Sequence, residues 1–269
     1  RYNRAMDHID VDDIQQIAAS AGAVVLENGG ETYRAETTVV RTAASLGAVE
    51  PSSFITTTVV MVSFLDEKRN HYSYFKRIYK RDINLNKLTM INSLSRALER
   101  RKRVLDPAFI ERRIMHIATA KEYSVAFIVA SAALSSFFFT LLFGGTVLDA
   151  LCALLVGGIL RIVIRLLGKS AVNNFFVSLC AGSAASVMTD ILGLTPLPVH
   201  SSVVIIGVLM QVVPGLALVN AIRDSIAGDF VAGTSRLIDA LLTALALSVG
   251  STAGLLVTHA IERIIKSVG

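Results

Sequence analysis

The segment Val125–Gly144 constrains the fold of this chain more than any other, because its 20 residues include no charged side chain. A helix needs about 20 apolar residues to cross the ~30 Å hydrocarbon core of a bilayer. Within that core every backbone polar group must be bonded inside the protein, and a helix achieves this within one segment. The segment therefore predicts a transmembrane helix.

Four more apolar segments follow, and they predict the remaining spans: Val147–Leu167, Val172–Leu194, Val203–Ile222 and Leu237–Ile261. Residues 1–123 contain 19 of the 26 Lys and Arg and 15 of the 21 Asp and Glu, so the chain divides into a polar part and a lipid-compatible part. We expect a membrane α-helical bundle of about five transmembrane helices (residues 124–269), preceded by an N-terminal α+β cytoplasmic domain (residues 1–123).

The basic residues of the short loops predict the orientation, because Lys and Arg mark the cytoplasmic side. They alternate between spans: Arg100, Arg101, Lys102, Arg103, Arg112, Arg113, Lys121, then Arg161, Arg165, Lys169, then Arg223 and Arg236. The intervening turns carry none. This pattern predicts a multi-pass membrane protein with the N-terminus cytoplasmic and the C-terminus outside.

Residue periodicity predicts the elements of the N-terminal domain. Apolar residues at helical spacing indicate helices after Asp10, over Thr32–Leu46, over Leu85–Leu98 and after Asp106-Pro107. The β-branched and aromatic runs Phe54–Phe64 and His71–Tyr79 predict two strands of a hairpin, since the charged Asp66–Asn70 lies between them.

A carboxylate within an apolar segment has a high free-energy cost in lipid, so it is expected to have a binding partner or a functional role. Asp149 and Asp190 lie near the outer ends of their predicted spans. They either reach the membrane surface or bind a proton, because withdrawal from water raises a carboxyl pKa. Asp239 and Asp224, near the inner ends, are further candidates for proton coupling.

Pro214 interrupts the predicted fourth span, because proline lacks a backbone N–H donor and therefore bends or opens a helix. Exposed backbone at membrane depth is found where it is buried in protein or lines a cavity. Gln211, Pro214 and Gly215 are therefore candidate substrate contacts, and a plain proline kink is the alternative.

Small residues in the third and fifth predicted spans have two interpretations. Asn174, Ser178, Gly182, Ser186 and Asp190 recur every four residues, and Gly250 and Gly254 form a G-x-x-x-G pattern. Such residues either permit close helix packing or line a wet path.

The inner loop after the fourth predicted span places Asn220, Arg223 and Asp224 on one helical face, with Arg236 and Asp239 further on. Local ion pairs that anchor the loop are one interpretation. The other is an entrance where Arg223 or Arg236 binds a substrate carboxylate, for which the planar guanidinium is suited.

Signatures of catalysis are missing from the sequence: it has no H-E-x-x-H, no G-x-S-x-G, no P-loop and no Cys/His metal spacing. We predict no enzyme activity, no metal and no cofactor. The net charge of +5 indicates a cytoplasmic face at the bilayer and not a nucleic-acid partner.

Three segments resemble the bacterial threonine/serine exporter family: Gly30–Thr37, Asp82–Leu88, and Pro214–Asp224 followed by Gly228-Asp229. The resemblance implies proton-driven export of threonine and serine by a multi-pass protein of the bacterial cytoplasmic (inner) membrane. It also directs attention to Glu31, Arg34 and Glu36 at a predicted helix start, where the acidic residues either cap the helix or serve in gating or substrate sampling.

Fused members of that family carry a second hydrophobic half, and this sequence ends at Gly269 without one. The resemblance therefore implies the larger subunit of the split form, which pairs with a small five-span membrane protein and is associated with succinate export. Assembly of this chain into a homo-oligomer is a further alternative.

These observations predict a subunit of a proton-coupled exporter of small carboxylate-bearing metabolites, either threonine and serine or a dicarboxylate such as succinate. The predicted substrate-binding residues are Arg223, Asn220, Arg236, Gln211, Pro214 and Gly215. The predicted proton-coupling residues are Asp190, Asp149, Asp239 and Asp224. The alternatives are a membrane-tethered sensor or enzyme acting through residues 1–123, and a channel.

Overall fold

The computed structural model describes residues 10–66, 68–100, 106–121, 123–168, 173–193, 195–196 and 198–268. Some residues used above lie outside this part of the chain: Arg101, Lys102, Arg103, Lys169, Val172 and Leu194. The chain forms two units. Unit 1 comprises Arg1–Lys121 and Leu216–Leu237, and unit 2 comprises Glu122–Gly215 and Ile238–Gly269. The second segment of unit 1 comes from the part of the chain that hydropathy assigns to the membrane.

The N-terminal part of unit 1 contains four helices: α1 (Val11–Glu27), α2 (Thr32–Ser45), α3 (Leu85–Glu99) and α4 (Pro107–Ala118). The predicted helix starts are confirmed. Asp10 and Asp106 cap α1 and α4, each accepting a hydrogen bond from the backbone amide two residues on. Such side-chain caps satisfy amides that have no partner within the helix.

A three-stranded antiparallel sheet follows α2, with β1 (Val49–Ile55), β2 (Val59–Leu65) and β3 (His71–Arg77) in the order β1-β2-β3. The prediction of one strand over Phe54–Phe64 is wrong, because a turn at residues 56–58 divides it, with the Thr56 amide donating to the Val59 carbonyl at 2.9 Å. The turn consists of three threonines, which favour strands, so composition does not reveal it.

The core of unit 1 forms where one face of the sheet meets the helices. Val60, Val62 and Phe64 alternate along β2 and are almost completely buried, as are Ala18 and Val24 of α1. This period-two burial is expected of a sheet with one face on the core. The core holds α2 in place, and the site described below is built at the N-terminus of that helix.

Unit 2 contains α5 (Val125–Leu142), α6 (Val147–Gly168), α7 (Asn174–Gly193), α8 (Ser201–Leu209) and most of α10 (Phe230–Val268). Among the described residues, four helices are long and apolar enough to span a bilayer, namely α5, α6, α7 and α10. Between 22% and 39% of each span is buried within the structure, which leaves most of its apolar surface for lipid.

The predicted fourth span, Val203–Ile222, is not one helix, and the count of about five spans is not confirmed. It divides into α8 and α9 (Gly215–Ile226), separated by Met210–Pro214. The amides of Val212 and Val213 both donate to the Leu209 carbonyl, so the regular helical pattern ends there. Pro214 has no amide hydrogen to continue it.

Helices α7 and α10 approach closely through small residues. A Cβ added to Gly250 would lie 2.0 Å from the Leu179 carbonyl oxygen, and one added to Gly182 would lie 2.4 Å from the Leu247 carbonyl oxygen. The Ser186 and Ser251 hydroxyls are 2.6 Å apart. The structure therefore assigns the small residues at these positions to helix packing.

We predict that Gly250→Ala lowers the thermal stability of the detergent-solubilised protein, because the new methyl group has no space. Overpacking of this kind costs about 1–3 kcal/mol. Gly168→Ala is the matched control, since a Cβ at Gly168 meets no atom of the described residues within 4 Å. Equal unfolding midpoints for the two variants would contradict the close packing.

Candidate functional site

Asp224 of α9 binds the first residue of α2. Its carboxylate accepts hydrogen bonds from the Thr32 amide at 3.1 Å and from the Thr32 hydroxyl at 3.0 Å, and the residue has no exposed surface. A carboxylate at a helix N-terminus satisfies an unpaired amide and favours the helix dipole. Two of the three segments that resemble the exporter family, Gly30–Thr37 and Pro214–Asp224, are therefore joined through residues that lie 192 positions apart.

Arg236, in the first turns of α10, completes the buried part of the site. Its Nε lies 2.9 Å from Asp224 Oδ2, although the N–H is not aimed at that oxygen as in a hydrogen bond. Its Nη2 donates to the Gly30 carbonyl at 2.7 Å. Only 10% of the Arg236 side chain is exposed, so this ion pair is shielded from water.

The Gly29-Gly30 turn presents two carbonyl groups to the same side chains. Asn220 Nδ2 donates to the Gly29 carbonyl at 2.9 Å, next to the Arg236 contact with Gly30. Gly29 has φ +84°, a left-handed conformation that glycine adopts without strain. A Cβ at Gly30 would lie 2.4 Å from Val25 Cγ1, so the close approach requires glycine there.

Glu31 occupies the N-cap position of α2, but its side chain does not cap the helix. Its Oε1 lies 2.6 Å from Arg223 Nη1, and its Oε2 lies 2.8 Å from Arg34 Nε. The Glu31 side chain is 6% exposed, whereas those of Arg34 and Arg223 are 41% and 56% exposed. Glu31 thus forms ion pairs with two arginines. The amide at the start of α2 is capped by Asp224 and not, as one interpretation of the sequence had it, by Glu31 or Glu36.

Two half-buried carboxyl groups lie near this network. Burial raises the pKa of Glu36, and the Asp229 and Asp224 carboxylates raise it further, against a backbone hydrogen bond at Ile55 that lowers it. Burial, followed by the Asp224 carboxylate, raises the pKa of Asp229. Both groups therefore hold a proton to a higher pH than an ordinary carboxyl group.

An open pocket of about 260 Å³ is lined by four side chains of α9 and one of α10: Ala221, Ile222, Ser225, Ile226 and Leu237. Its lining is apolar apart from Ser225. It offers no charged group, so it is poorly suited to hold a small charged metabolite.

In unit 2, Asp149 is completely buried and does not reach the surface. Its carboxylate accepts hydrogen bonds from the Thr146 amide and hydroxyl, both at 2.8 Å, and from the His200 amide at 2.8 Å, with His200 Nδ1 at 3.0 Å. The Asp149 amide donates back to the Thr146 hydroxyl at 3.2 Å. This reciprocal pattern is a capping box that starts α6 and also ties down the start of α8.

Gln211 lies in the break between α8 and α9, within unit 2. Its Nε2 donates to the Gly157 carbonyl at 3.1 Å and to the Ser136 hydroxyl at 3.3 Å. Its buried Oε1 has no hydrogen-bond partner among the described residues. Pro214 is half-buried, and the exposed Gly215 begins α9.

The two remaining predicted carboxylates lie in α7 and α10. Asp190 Oδ2 accepts a hydrogen bond from the Thr258 hydroxyl at 2.5 Å. Asp239 is exposed on α10, and its carbonyl accepts from Thr243. Across the described residues, no group of three or more His, Cys, Asp or Glu is arranged to hold a metal ion.

Of the predicted site residues, unit 1 brings together Asn220, Arg223, Asp224, Arg236, Glu31 and Arg34. Thr32 and the carbonyls of Gly29 and Gly30 join them and were not predicted. The resemblance drew attention to both segments, but no local pattern shows that they pair.

The four span-length apolar helices and the α+β unit define a multi-pass membrane protein, with a buried charged network in its polar unit. Comparison with protein-family models gives a match to the family described as "Putative threonine/serine exporter", over residues 16–258. The chain belongs to this family, which is a family of membrane transporters. Searches of curated proteins and of solved structures found no match.

We predict that Arg236→Gln strongly destabilises unit 1, because it leaves the Asp224 carboxylate buried without its cation. Breaking a buried pair in this way costs about 3–5 kcal/mol. The control is Arg41→Gln, since Arg41 pairs with the half-exposed Glu99 at 3.1 Å and exposed pairs contribute about 0–1 kcal/mol. Thermal unfolding of the two proteins gives the comparison, and similar midpoints would contradict the buried pair.

We predict that Glu36→Gln stabilises the protein at neutral pH and has little effect at pH 4. The folded pKa of Glu36 is raised above its ordinary value of 4.5. The folded state therefore retains a proton that the unfolded state has lost, and stability falls as pH rises through the folded pKa. Glutamine does not ionise, so the variant does not lose stability in this way as the pH rises.

The measurement for Glu36→Gln is the unfolding midpoint between pH 4 and pH 8. The control is Glu111→Gln, at an exposed position of α4. A gain that is the same at every pH would exclude titration of Glu36 as its cause.

Proposed function

We propose that the protein exports threonine and serine across the bacterial cytoplasmic membrane in exchange for protons, with its N-terminus in the cytoplasm. Family membership supports the class of substrate. One observation supports the location of the inner substrate site: two of the three segments that resemble the family, Gly30–Thr37 and Pro214–Asp224, meet in a network whose edge carries the half-exposed Arg223.

Arg223 is the proposed contact for the substrate carboxylate. Its side chain is 56% exposed, and its contact with Glu31 uses Nη1, one of three guanidinium nitrogens. A guanidinium fork binds a planar carboxylate well. Arg236 and Asn220, which are 9% and 3% exposed, have the role of supports that position α9.

Gln211 is the proposed residue that contacts the substrate on its path through unit 2. Its buried Oε1 has unused acceptor capacity in the described structure, and a buried acceptor without a donor is costly. The ammonium or hydroxyl group of threonine would supply that donor. The helix break at Pro214 supports this placement, since broken helices recur at transporter binding sites.

Asp190 is the proposed proton carrier of unit 2. The acceptor sites of the Asp149 carboxylate are committed to Thr146 and His200, and those of Asp224 to Thr32 and Arg236. Within the part of the chain that the structure describes, the hydrogen bond to the Asp190 carboxylate comes from one hydroxyl group, that of Thr258. Asp239 is the second candidate.

A small five-span membrane protein is the proposed partner, and succinate is the proposed alternative substrate. Both proposals rest on the resemblance to the split form of the family. Co-expression of the full chain with its genomic neighbours, followed by affinity purification, tests the first. A parallel succinate measurement in the flux assay described next tests the second.

The transport experiment uses the full chain, with any partner that co-purifies, reconstituted in liposomes. We expect saturable threonine flux that increases with a proton gradient. Arg223→Gln should reduce that flux by about tenfold or more, because a hydrogen bond to a charged group contributes about 1.5–3 kcal/mol. Asp190→Asn should abolish the dependence on the gradient.

Arg41→Gln is the control for Arg223→Gln, since Arg41 is also half-buried and ion-paired in unit 1. Each variant is first checked for an unchanged unfolding midpoint, with Arg223→Lys as a milder substitution. Wild-type liposomes without threonine or serine flux would contradict the proposed function. Full flux in folded Arg223→Gln would remove the assignment of that residue.

A further inference from the structure

Two exposed arginines converge on one buried carboxylate at the edge of the site. Arg223 comes from α9 and Arg34 from the first turn of α2, and they contact different oxygens of Glu31, at 2.6 Å and 2.8 Å. Glu31 is nearly inaccessible to solvent, while both arginines retain about half of their side-chain surface. The outer surface of this trio is therefore made by guanidinium groups.

The charges of the trio leave one positive charge at that surface. Two guanidinium groups share one carboxylate, so a second carboxylate arriving from solvent would neutralise the remaining charge. Each guanidinium carries five N–H donors in a fixed planar arrangement. Glu31 contacts one nitrogen of each guanidinium group and so holds the two groups side by side; Arg34 Nε also lies 3.5 Å from the Tyr33 hydroxyl.

We propose that Arg34 and Arg223 form a two-arginine clamp for the carboxylate of the transported metabolite, with Glu31 as the residue that positions both. This inference rests on the proposed export function and extends it to Arg34. It also separates the exposed arginines from Arg236, whose described contacts are made inside the protein, to Gly30 and Asp224.

Arg34 acts in this account as a contact and not as a helix-stabilising residue. Its neighbour on α2, Arg41, offers a matched comparison: it has the same residue type, lies on the same helix, and forms an ion pair with Glu99 at 3.1 Å. Arg34→Gln leaves the buried Glu31 carboxylate paired with Arg223, and Arg41→Gln removes a more exposed pair, of a kind that contributes about 0–1 kcal/mol. Both variants are compared at equal unfolding midpoints. A difference between the two variants in ligand binding is therefore attributable to the clamp.

The experiment measures binding of L-threonine to the full chain in nanodiscs of zwitterionic lipid, by calorimetry. We expect Arg34→Gln to weaken binding about tenfold, Arg34→Lys to weaken it less, and Arg41→Gln to leave it unchanged. The analogue 1-aminopropan-2-ol, which lacks the carboxylate, should bind weakly to wild type and to Arg34→Gln alike.

Glu31→Gln tests positioning. It should weaken threonine binding while the discrimination against the analogue shrinks, because the two guanidinium groups lose their common anchor. A variant that loses affinity for threonine and for the analogue in the same proportion would indicate a structural role and overturn the assignment.

Three other results would overturn the clamp. Equal threonine binding by Arg34→Gln and wild type would remove Arg34 from the site. Inorganic phosphate that competes as well as threonine would assign the arginines to anions in general. Absence of threonine binding to wild type would remove the site. If liposome flux persists in any of these cases, the export function stands and only the clamp fails.

Discussion

The carboxylate of Asp224 is the group on which unit 1 depends. It has no exposed surface, and burial of an ion costs several kcal/mol unless donors surround it. Those donors come from Thr32 at the start of α2 and Arg236 at the start of α10. Satisfying one charge therefore fixes three helix segments in a single arrangement, and the charge cannot be exposed or left unpaired without a large cost.

The functional consequence is a gradient of exposure across a few residues. At its buried end, Asp224 and Arg236 hold the helices, and at its exposed end Arg223 and Arg34 face solvent around Glu31. Rigid support behind an accessible charged group is the arrangement expected of a binding site, because ordering costs are met before the ligand arrives. A ligand that draws Arg223 away from Glu31 would act directly on α9, which Asp224 links to α2.

The sequence predicts those features that depend on local periodicity. The helices α1 to α4 and the span-length helices α5 to α7 follow from apolar spacing, caps and hydropathy. Hydropathy alone merges α8 with α9, because both are apolar over most of their length and the break at Met210–Pro214 adds only one polar side chain. Composition likewise hides the turn of threonines between β1 and β2.

The candidate site could be predicted only in part. Arg223, Asp224 and Glu31 were identified, but their pairing joins positions almost two hundred residues apart, and no local pattern encodes it. Arg236 was expected to meet substrate and is instead buried. The decisive measurement is hydrogen exchange of the Thr32 amide in the full chain. We expect slow exchange that Asp224→Ala accelerates strongly, and unchanged exchange in Asp224→Ala would show that the Asp224 carboxylate does not hold the start of α2.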